Sequence, residues 1–312
     1  MPIEHAAVQV VRKPWGVNDL HPWSLTDGSG DAVGELLFQR ADKAAPPAAL
    51  LLKLLFTSEP LSIQVHPDDA FAHSIGLPNG KTEAWYILSA KPGAQVAVGL
   101  KRNLTPQELR AAIRDGSIAG LVDWHSATKG DTIVVPAGTI HAIGAGIVLA
   151  EIQQRSDATF RLFDYGRPRE LHEDNAVAAS CAGPLQAQAG PRRLTAARTA
   201  LAAIPHFVIE RINLPANSNW ILNADRETWV LVIEGHAQVG PTSASVGDAM
   251  FVEGDRAGIE AGADGMSALI AYPGPDPIMS LLQESGEQMT SSADTSTLRS
   301  LLKPNEIVEA RT

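Results

Sequence analysis

The chain has few of the features that mark secreted, membrane or disulfide-stabilised proteins. Its 312 residues contain a single cysteine, Cys181, so no disulfide can form within the chain, and a reducing compartment fits this composition. The apolar run LLLKLLF at Leu50–Phe56 contains Lys53 and is far shorter than the ~20 residues of a membrane-spanning helix. The opening residues, MPIEHAAVQVVRKPWG, hold no apolar core of a secretory signal. We therefore expect a cytoplasmic protein that does not bind membranes.

Basic residues are also in the minority. The chain has 25 Lys and Arg against 35 Asp and Glu, which gives a formal net charge of −10. No basic tract of the nucleic-acid-binding kind is present, and the overall field disfavours a polyanion partner. A phosphorylated small molecule would instead need cations placed locally. Hydrophobic residues make up 45% of the chain, enough for the core of one large or two moderate domains.

Side chains that bind metals stand in apolar, strand-like surroundings. The segment LSIQVHPDDAFAHSIGLPNGKTEAWY places Gln64 and His66 two residues apart, and Lys81 and Glu83 repeat that spacing. Residues i and i+2 of a strand point to the same face. His141 lies near the end of GDTIVVPAGTIHAIG. A single histidine on a strand is usually structural, but this set offers mixed nitrogen and oxygen ligands for one divalent cation.

The motifs resemble a known family. The pattern Gly130-x5-Pro136-x-Gly138-x2-His141 resembles the second motif of cupin β-barrels, and Gln64 stands where the first motif has its first histidine. This substitution resembles the zinc-dependent type I mannose-6-phosphate isomerases. The segments QVHPDD, GKTEAWYIL, GDTIVVPAGTIHAIGAG and EIQQRSDATFRLFDYGR carry the resemblance. The match runs in order from about Val10 to Arg169.

The resemblance implies a mainly β fold of two cupin, jelly-roll-like barrels. A small helical insert is expected in the first barrel, where Thr105, Pro106 and Glu108 form a helix start with a capping box, and a second short helix is expected over Ser117–Trp124. In the second barrel, Gly258 stands where the spacing of the first predicts a histidine, so we expect no metal site there. The predicted boundaries are 1–100 and 129–170 for the metal-binding barrel, 101–128 for the insert, 171–205 for a linker, 206–273 for the second barrel and 274–312 for a tail.

The resemblance also implies roles for individual side chains. The metal ligands would be Gln64, His66, Glu83 and His141, holding one zinc ion per chain, although other divalent metals suit the same donors. Catalytic and substrate-binding roles fall on the residues that match the family's pocket, with Arg161 over the substrate, Arg167 at the phosphate, and Ser62, Lys81 and Glu151 as polar pocket positions. Glu151, Lys81 and a metal-bound water all stay open as the group that transfers the proton.

The expected activity is the interconversion of mannose 6-phosphate and fructose 6-phosphate by proton transfer through an enediolate. One alternative is a non-catalytic regulatory cupin that binds a sugar phosphate, which the presence of Arg161, Lys81 and Glu151 disfavours. Another is a metal-dependent cupin oxygenase, which Gln64 disfavours because iron oxygenases use ligand sets richer in histidine. The sequence predicts a sugar-phosphate partner, and it predicts no oligomeric state.

Overall fold

The computed structural model describes residues 3–25 and 30–286, and β-strands are their main regular secondary structure. The first strands are β1 Ile3–His5, β2 Ala7–Val17, β3 Val33–Gln39, β4 Leu50–Phe56, β5 Ile63–Val65, β6 Glu83–Ala90, β7 Gln95–Leu100, β8 Val122–Ser126, β9 Thr132–Val135, β10 His141–Ile143, β11 Ile147–Gln154 and β12 Phe160–Phe163. The later strands are β13 Arg192–Arg193, β14 Arg198–Ala203, β15 Phe207–Leu214, β16 Asn219–Ala224, β17 Thr228–Val239, β18 Thr242–Ser245, β19 Ala249–Val252, β20 Asp255–Pro273 and β21 Leu282–Glu284. The helices are α1 Asp69–Ser74, α2 Pro106–Asp115, α3 Ile118–Leu121 and α4 Glu173–Ala179.

The described strands form three antiparallel sheets. A six-stranded sheet has the order β2-β3-β4-β11-β6-β9, and a five-stranded sheet has the order β12-β5-β10-β7-β8. A ten-stranded sheet follows β1-β19-β17-β20-β15-β14-β13, with β16, β18 and β21 paired off this path. The prediction of a mainly β protein with few helices is confirmed.

The six-stranded sheet is covered on both faces, which explains why every residue of β4 is buried. One face, with Leu52 and Leu54, packs against Trp229 and Phe251 of the ten-stranded sheet. The other face, with Leu55 and with Trp85 of β6, packs toward the five-stranded sheet. Strands buried on both sides read as continuous apolar runs rather than as alternating patterns. A third apolar cluster lies within the ten-stranded sheet, and a fourth lies between the five-stranded sheet and the helices.

One helix begins as the sequence predicts, whereas another is shorter than predicted. Thr105 caps α2, and its capping box with Glu108 is formed as predicted. The helix predicted over Ser117–Trp124 is wrong in its second half, because α3 ends at Leu121 and β8 begins at Val122. There β8 pairs with β7, so backbone bonds to a neighbouring strand replace those of a further helical turn. None of the helices in the described residues has the length and apolar character of a membrane span.

Some strands pair across the predicted domain boundaries, or lie in ranges predicted as a linker and a tail. Strand β1 pairs with β19, so the described part of the chain starts in the ten-stranded sheet before it enters the six-stranded one. The range predicted as a linker contains α4 and also β14, which pairs with β15. In the range predicted as a tail, β21 pairs with β16. Residues 287–312, including the apolar patch Leu298–Leu302, lie outside the described residues.

Candidate active site

Three side chains from separate strands meet at one buried point. His66 follows β5, Glu83 opens β6 and His141 opens β10. His66 Nε2 lies 3.3 Å from Glu83 Oε2, and His141 Nε2 lies 3.4 Å from Glu83 Oε1. Among the residues that the structure describes, these three form the one group of three or more His, Cys, Asp and Glu side chains whose ligand atoms all lie within 4.8 Å of one another.

Backbone carbonyls fix the orientation of both imidazoles. The Nδ1 atom of His66 lies 2.8 Å from the carbonyl oxygen of Ala158, and that of His141 lies 2.8 Å from the carbonyl oxygen of Thr139. Each Nδ1 therefore carries the proton and donates it, which leaves the lone pair of Nε2 directed at the centre of the cluster. Such outer hydrogen bonds are the usual support of metal-ligating histidines.

The spacing and the state of the donor atoms fit a divalent cation. Ligand atoms about 2.0–2.2 Å from a tetrahedral ion lie roughly 3.4 Å from one another, which matches the separations above. His66 Nε2 is buried and has no hydrogen-bond partner. The side-chain amide of Gln64 lies 3.3 Å from His141 Nε2, and rotating this amide by half a turn brings its oxygen to the same place. All four predicted ligands are thus brought together.

The electrostatics favour the protonation state that ligands need. Burial, helped by the positive charge of Lys81, lowers the pKa of His66 to about 3, and burial also lowers the pKa of His141. Burial opposes the Glu83 anion, but Lys81 and the two imidazoles hold its pKa well below the usual range. The Lys81 ammonium lies 2.9 Å from Glu83 Oε2. Two neutral imidazoles therefore face one ionised carboxylate.

A cavity of about 870 Å³ adjoins the cluster, between the six- and five-stranded sheets. It is lined by five of the residues predicted for the site, Ser62, Gln64, Lys81, Glu151 and Arg161. Arg167 is not among the lining residues, because its Nη2 donates to the carbonyl of Pro60 and its Nη1 lies 3.3 Å from Asp164. Arg169, which the sequence reasoning did not select, does line the cavity and is paired with Asp164.

Glu151 has an unusual environment for a carboxylate. Burial, together with the negative charge of Glu83, raises its pKa to about 7, while Lys81 and Lys53 partly offset that rise. A carboxyl group with such a pKa changes its protonation state near neutral pH, as a group that accepts and returns a proton must.

Lys53 and Glu35 line the cavity although the sequence analysis gave them no site role. The Lys53 ammonium is buried and lies 3.8 Å from Glu35, 3.7 Å from Glu151 and 3.5 Å from Asp157. A signal for Lys53 was present, since it is the one charged residue in the buried run LLLKLLF. Its position opposite Glu151 depends on the pairing of β4 with β11, which places Glu151 directly across from Lys53.

A second concavity, of about 790 Å³, lies against residues 181–189. Its lining is largely apolar, with Leu185 and Ile204 as examples, and it includes the exposed Cys181. It brings together no group of ionisable side chains comparable to Lys53, Glu151 and Lys81. The cavity beside the His66 cluster is therefore the candidate active site.

Comparison with known proteins relates this site to one group of enzymes. No protein-family model matches the chain. Mannose-6-phosphate isomerase from Streptococcus mutans is 41% identical over 134 residues, which make up 41% of this chain and 42% of that protein. A mannose-6-phosphate isomerase from Bacillus subtilis is 43% identical over 136 residues, with the same coverage. These matched segments span less than half the length of the curated relatives.

Solved structures extend the similarity over most of the chain. The crystal structure of mannose 6-phosphate isomerase from Bacillus subtilis superposes with a TM-score of 0.75 at 25% identity, covering 87% of this chain and 99% of that one. A variant of phosphomannose isomerase from Salmonella typhimurium superposes with a TM-score of 0.69 at 14% identity, covering 88% and 100%, which shows a shared fold. The resemblance to mannose-6-phosphate isomerases predicted from the motifs is confirmed.

Proposed function

We propose that this chain is an aldose–ketose isomerase that interconverts mannose 6-phosphate and fructose 6-phosphate with one zinc ion. The observation that carries the proposal is that the His66, Glu83 and His141 cluster adjoins the same cavity as Glu151, whose pKa lies near 7. The names of the similar proteins support the substrate. We also propose that the six- and five-stranded sheets form one cupin barrel and the ten-stranded sheet a second.

The metal would be held by Gln64, His66, Glu83 and His141. When bound, it supplies a Lewis acid that polarises the carbonyl and hydroxyl oxygens of the open-chain sugar. These donors include no cysteine, which agrees with a catalytic site that leaves a position open rather than with a closed structural one.

Among the groups considered for proton transfer, Glu151 suits the role best. Its carboxyl group, whose pKa burial raises to about 7, can in its ionised form take the proton from one of the two carbons that exchange oxidation state and return it to the other. Lys81 is a poorer base, because Glu83 and Glu151 outweigh burial and raise its pKa, so it keeps its proton. We assign Lys81 the role of a fixed cation that orders Glu83 and faces the substrate.

Negative charge that develops on the substrate oxygens would be stabilised by the cations around the cavity. Arg161 lines the cavity, and its Nε is buried without a partner while its Nη1 donates to the carbonyl of Glu170 at 2.6 Å. A planar guanidinium anchored at one end and free at another suits an oxyanion. Lys53 supplies a second buried cation beside Glu151.

The phosphate of the substrate requires positive charge within an acidic protein. We propose that Arg161, Arg167 and Arg169 form this patch, with Ser62 as a neutral donor. Ser62 Oγ lies 3.2 Å from the side-chain amide of Gln64, close to the metal ligands. Arg167 does not line the cavity, and its buried Nη1 lies 3.3 Å from Asp164 Oδ1, so it would meet the phosphate only after this ion pair is released.

The proposal is tested by a coupled assay of purified protein with mannose 6-phosphate, before and after chelation. We expect turnover that chelation abolishes and that added zinc restores. Activity should rise with pH through about 7 as Glu151 loses its proton, and Glu151→Gln should remove this limb together with most of the activity. In deuterated water, the product should carry solvent deuterium at the transferred position. A metal-replete protein that binds the sugar phosphate without turnover would favour the regulatory alternative.

A further inference from the structure

A carboxylate from the ten-stranded sheet reaches into the six-stranded one. Glu227 lies directly before β17 and is 6% exposed. It accepts hydrogen bonds from the backbone N–H of Leu50 at 2.8 Å, from the N–H of Ala49 and from the indole of Trp229 at 3.3 Å. Three donors therefore converge on one buried anion at the start of β4. A hydrogen bond to a charged group is stronger than one between neutral groups.

The same short segment is held from its other side by Arg155. The Arg155 side chain donates to the carbonyl of Ala48, and its backbone N–H donates to the carbonyl of Ala49 at 3.1 Å. Arg155 follows β11 and lines the candidate active-site cavity. The start of β4 is thus clamped between Glu227 of one sheet and a residue of the active site.

Lys53 lies in β4, three residues after the held residue Leu50. Leu51, Lys53 and Leu55 point to the same face and line the cavity, as the alternation of a strand requires. Lys53 lies among Glu35, Glu151 and Asp157 at 3.5–3.8 Å, so a small shift of β4 changes each of these separations. Misplacement of a catalytic group by about 1 Å can cost roughly a hundredfold in rate.

We propose that Glu227 is a positioning residue through which the ten-stranded sheet sets the place of Lys53 against Glu151. The effect on turnover rests on the proposed isomerase function, whereas the effect on the position of Lys53 does not. A purely structural Glu227 would change stability and leave the environment of Glu151 as it is.

The test compares Glu227→Gln with Glu234→Gln. Glu234 lies further along β17 and makes an exposed ion pair of 2.6 Å with Lys129, in the turn between β8 and β9. Both changes therefore remove one carboxylate charge of β17 or its start that contacts the part of the chain before β13. Glu227→Gln keeps the size of the side chain and one accepting oxygen, which limits the loss of stability. Lys53→Met, which removes the cation outright, sets the upper limit of the expected effect.

The first readout is the titration midpoint of Glu151, followed by NMR of labelled carboxylates in the metal-loaded protein. The charged groups that act on Glu151 are Lys53 and Lys81, which lower its pKa, and Glu83 and Glu35, which raise it. Withdrawal of Lys53 should therefore move the midpoint upward in Glu227→Gln, by a fraction of the rise seen in Lys53→Met. Glu234→Gln should leave it at the wild-type value. An unchanged midpoint in Glu227→Gln would overturn the proposal, whether or not the protein is an isomerase.

The second readout is kinetic. With normal metal content, Glu227→Gln should lower kcat for mannose 6-phosphate about tenfold or more, with KM little changed, and the acid limb of its pH profile should move to higher pH with the Glu151 midpoint. Equal losses of kcat in Glu227→Gln and Glu234→Gln would contradict a specific role. If the wild-type protein shows no turnover, the proposed function fails, while the titration still decides the role of Glu227.

Discussion

The first half of the molecule, β2 to β12, and the second half, β13 to β21, each have a Glu-x-Trp pattern at the start of a long strand. The glutamate of this pattern has a different role in each half. In the first half, Glu83-Ala84-Trp85 opens β6, and in the second, Glu227-Thr228-Trp229 leads into β17. In both, the indole donates to the carboxylate two residues before it, at 3.1 Å and 3.3 Å. Glu83 faces the metal-binding cluster, whereas Glu227 faces the interface between the sheets.

The register of the neighbouring strand explains the difference. Each half has a matching turn, where Asp131 accepts hydrogen bonds from Thr128 and Asp248 accepts them from Ser245. In the first half, the residue after Asp131 pairs with Tyr86, the residue after Trp85. In the second, the residue after Asp248 pairs with Leu231, which lies two residues after Trp229.

Relative to this turn, the Glu-x-Trp pattern of the second half is displaced by one residue. A displacement of one residue on a strand moves every side chain to the other face. Trp229 therefore packs in the cluster shared by the two sheets, while Trp85 packs in the cluster that faces the five-stranded sheet. The same local pattern thus gives a metal ligand in one half and an interface carboxylate in the other.

The largest expected effect is a loss of metal that follows replacement of Glu83 in the first Glu-x-Trp pattern, but not replacement of Glu227 in the second. Glu83→Gln removes the anionic ligand, so metal content and isomerase activity should fall together. Loss of residues that merely support a ligand costs about 10–100-fold in affinity or activity, and a ligand itself should cost more. Glu227→Gln should retain the metal, as measured by elemental analysis. Equal metal loss in both variants would show that the two carboxylates are not functionally distinct.

The second half should respond to mutation mainly in stability. Arg198 and Glu210 are fully buried within the ten-stranded sheet and joined by two hydrogen bonds of 2.7 Å. Glu210→Ala leaves the Arg198 charge uncompensated, which typically costs about 3–5 kcal/mol, and should lower the unfolding temperature strongly. At a temperature where the variant is folded, kcat should match the wild type. A selective loss of kcat there would contradict the division between the halves.

In the first half, replacing a residue should affect chemistry more than stability. Arg161→Lys keeps the charge but removes the planar set of donors. We expect kcat to fall about a hundredfold, the scale of losing one donor to a developing oxyanion, while metal content and melting temperature stay near wild type. Normal kcat in this variant would remove Arg161 from the transition state and leave the isomerase proposal standing.

The smallest expected effect distinguishes two neighbouring arginines. Arg167→Ala and Arg169→Ala should each raise KM for mannose 6-phosphate about tenfold, as expected for one lost hydrogen bond to a charged group, and should change KM for unphosphorylated mannose far less. Arg169 lines the cavity and Arg167 does not, so a rise of KM in only one of the two variants would identify which arginine contacts the phosphate. The same change for both sugars would exclude a phosphate contact for the residue concerned.

The parts of the site that the sequence predicted depend on local patterns. His66, Glu83 and His141 lie in motifs of fixed spacing, and the capping box at Thr105 involves residues three apart. The secondary structure of β4 was also predictable, because its apolar run is uninterrupted apart from Lys53.

The parts that the sequence did not predict depend on which strands become neighbours. Glu35 meets Lys53 because β3 pairs with β4, and Glu151 meets it because β11 lies on the other side. Glu227 reaches Leu50 only once two sheets have packed together. A carboxylate in a strand looks the same in the sequence whether it will bind a metal, a lysine or a backbone amide.

The pairing of β1 with β19 has a consequence for the order of assembly. Ile3 lies across from Val252, so during synthesis β1 must wait for most of the described chain before its partner exists. Closing so long a loop costs conformational entropy that only the finished sheet repays. The half that carries the metal ligands, from β2 to β12, can complete its own sheets first, while the chain ahead of it remains unpaired. A sequence fused before Ile3 would therefore hinder the pairing of β1 with β19, and not the folding of the strands that form the active site.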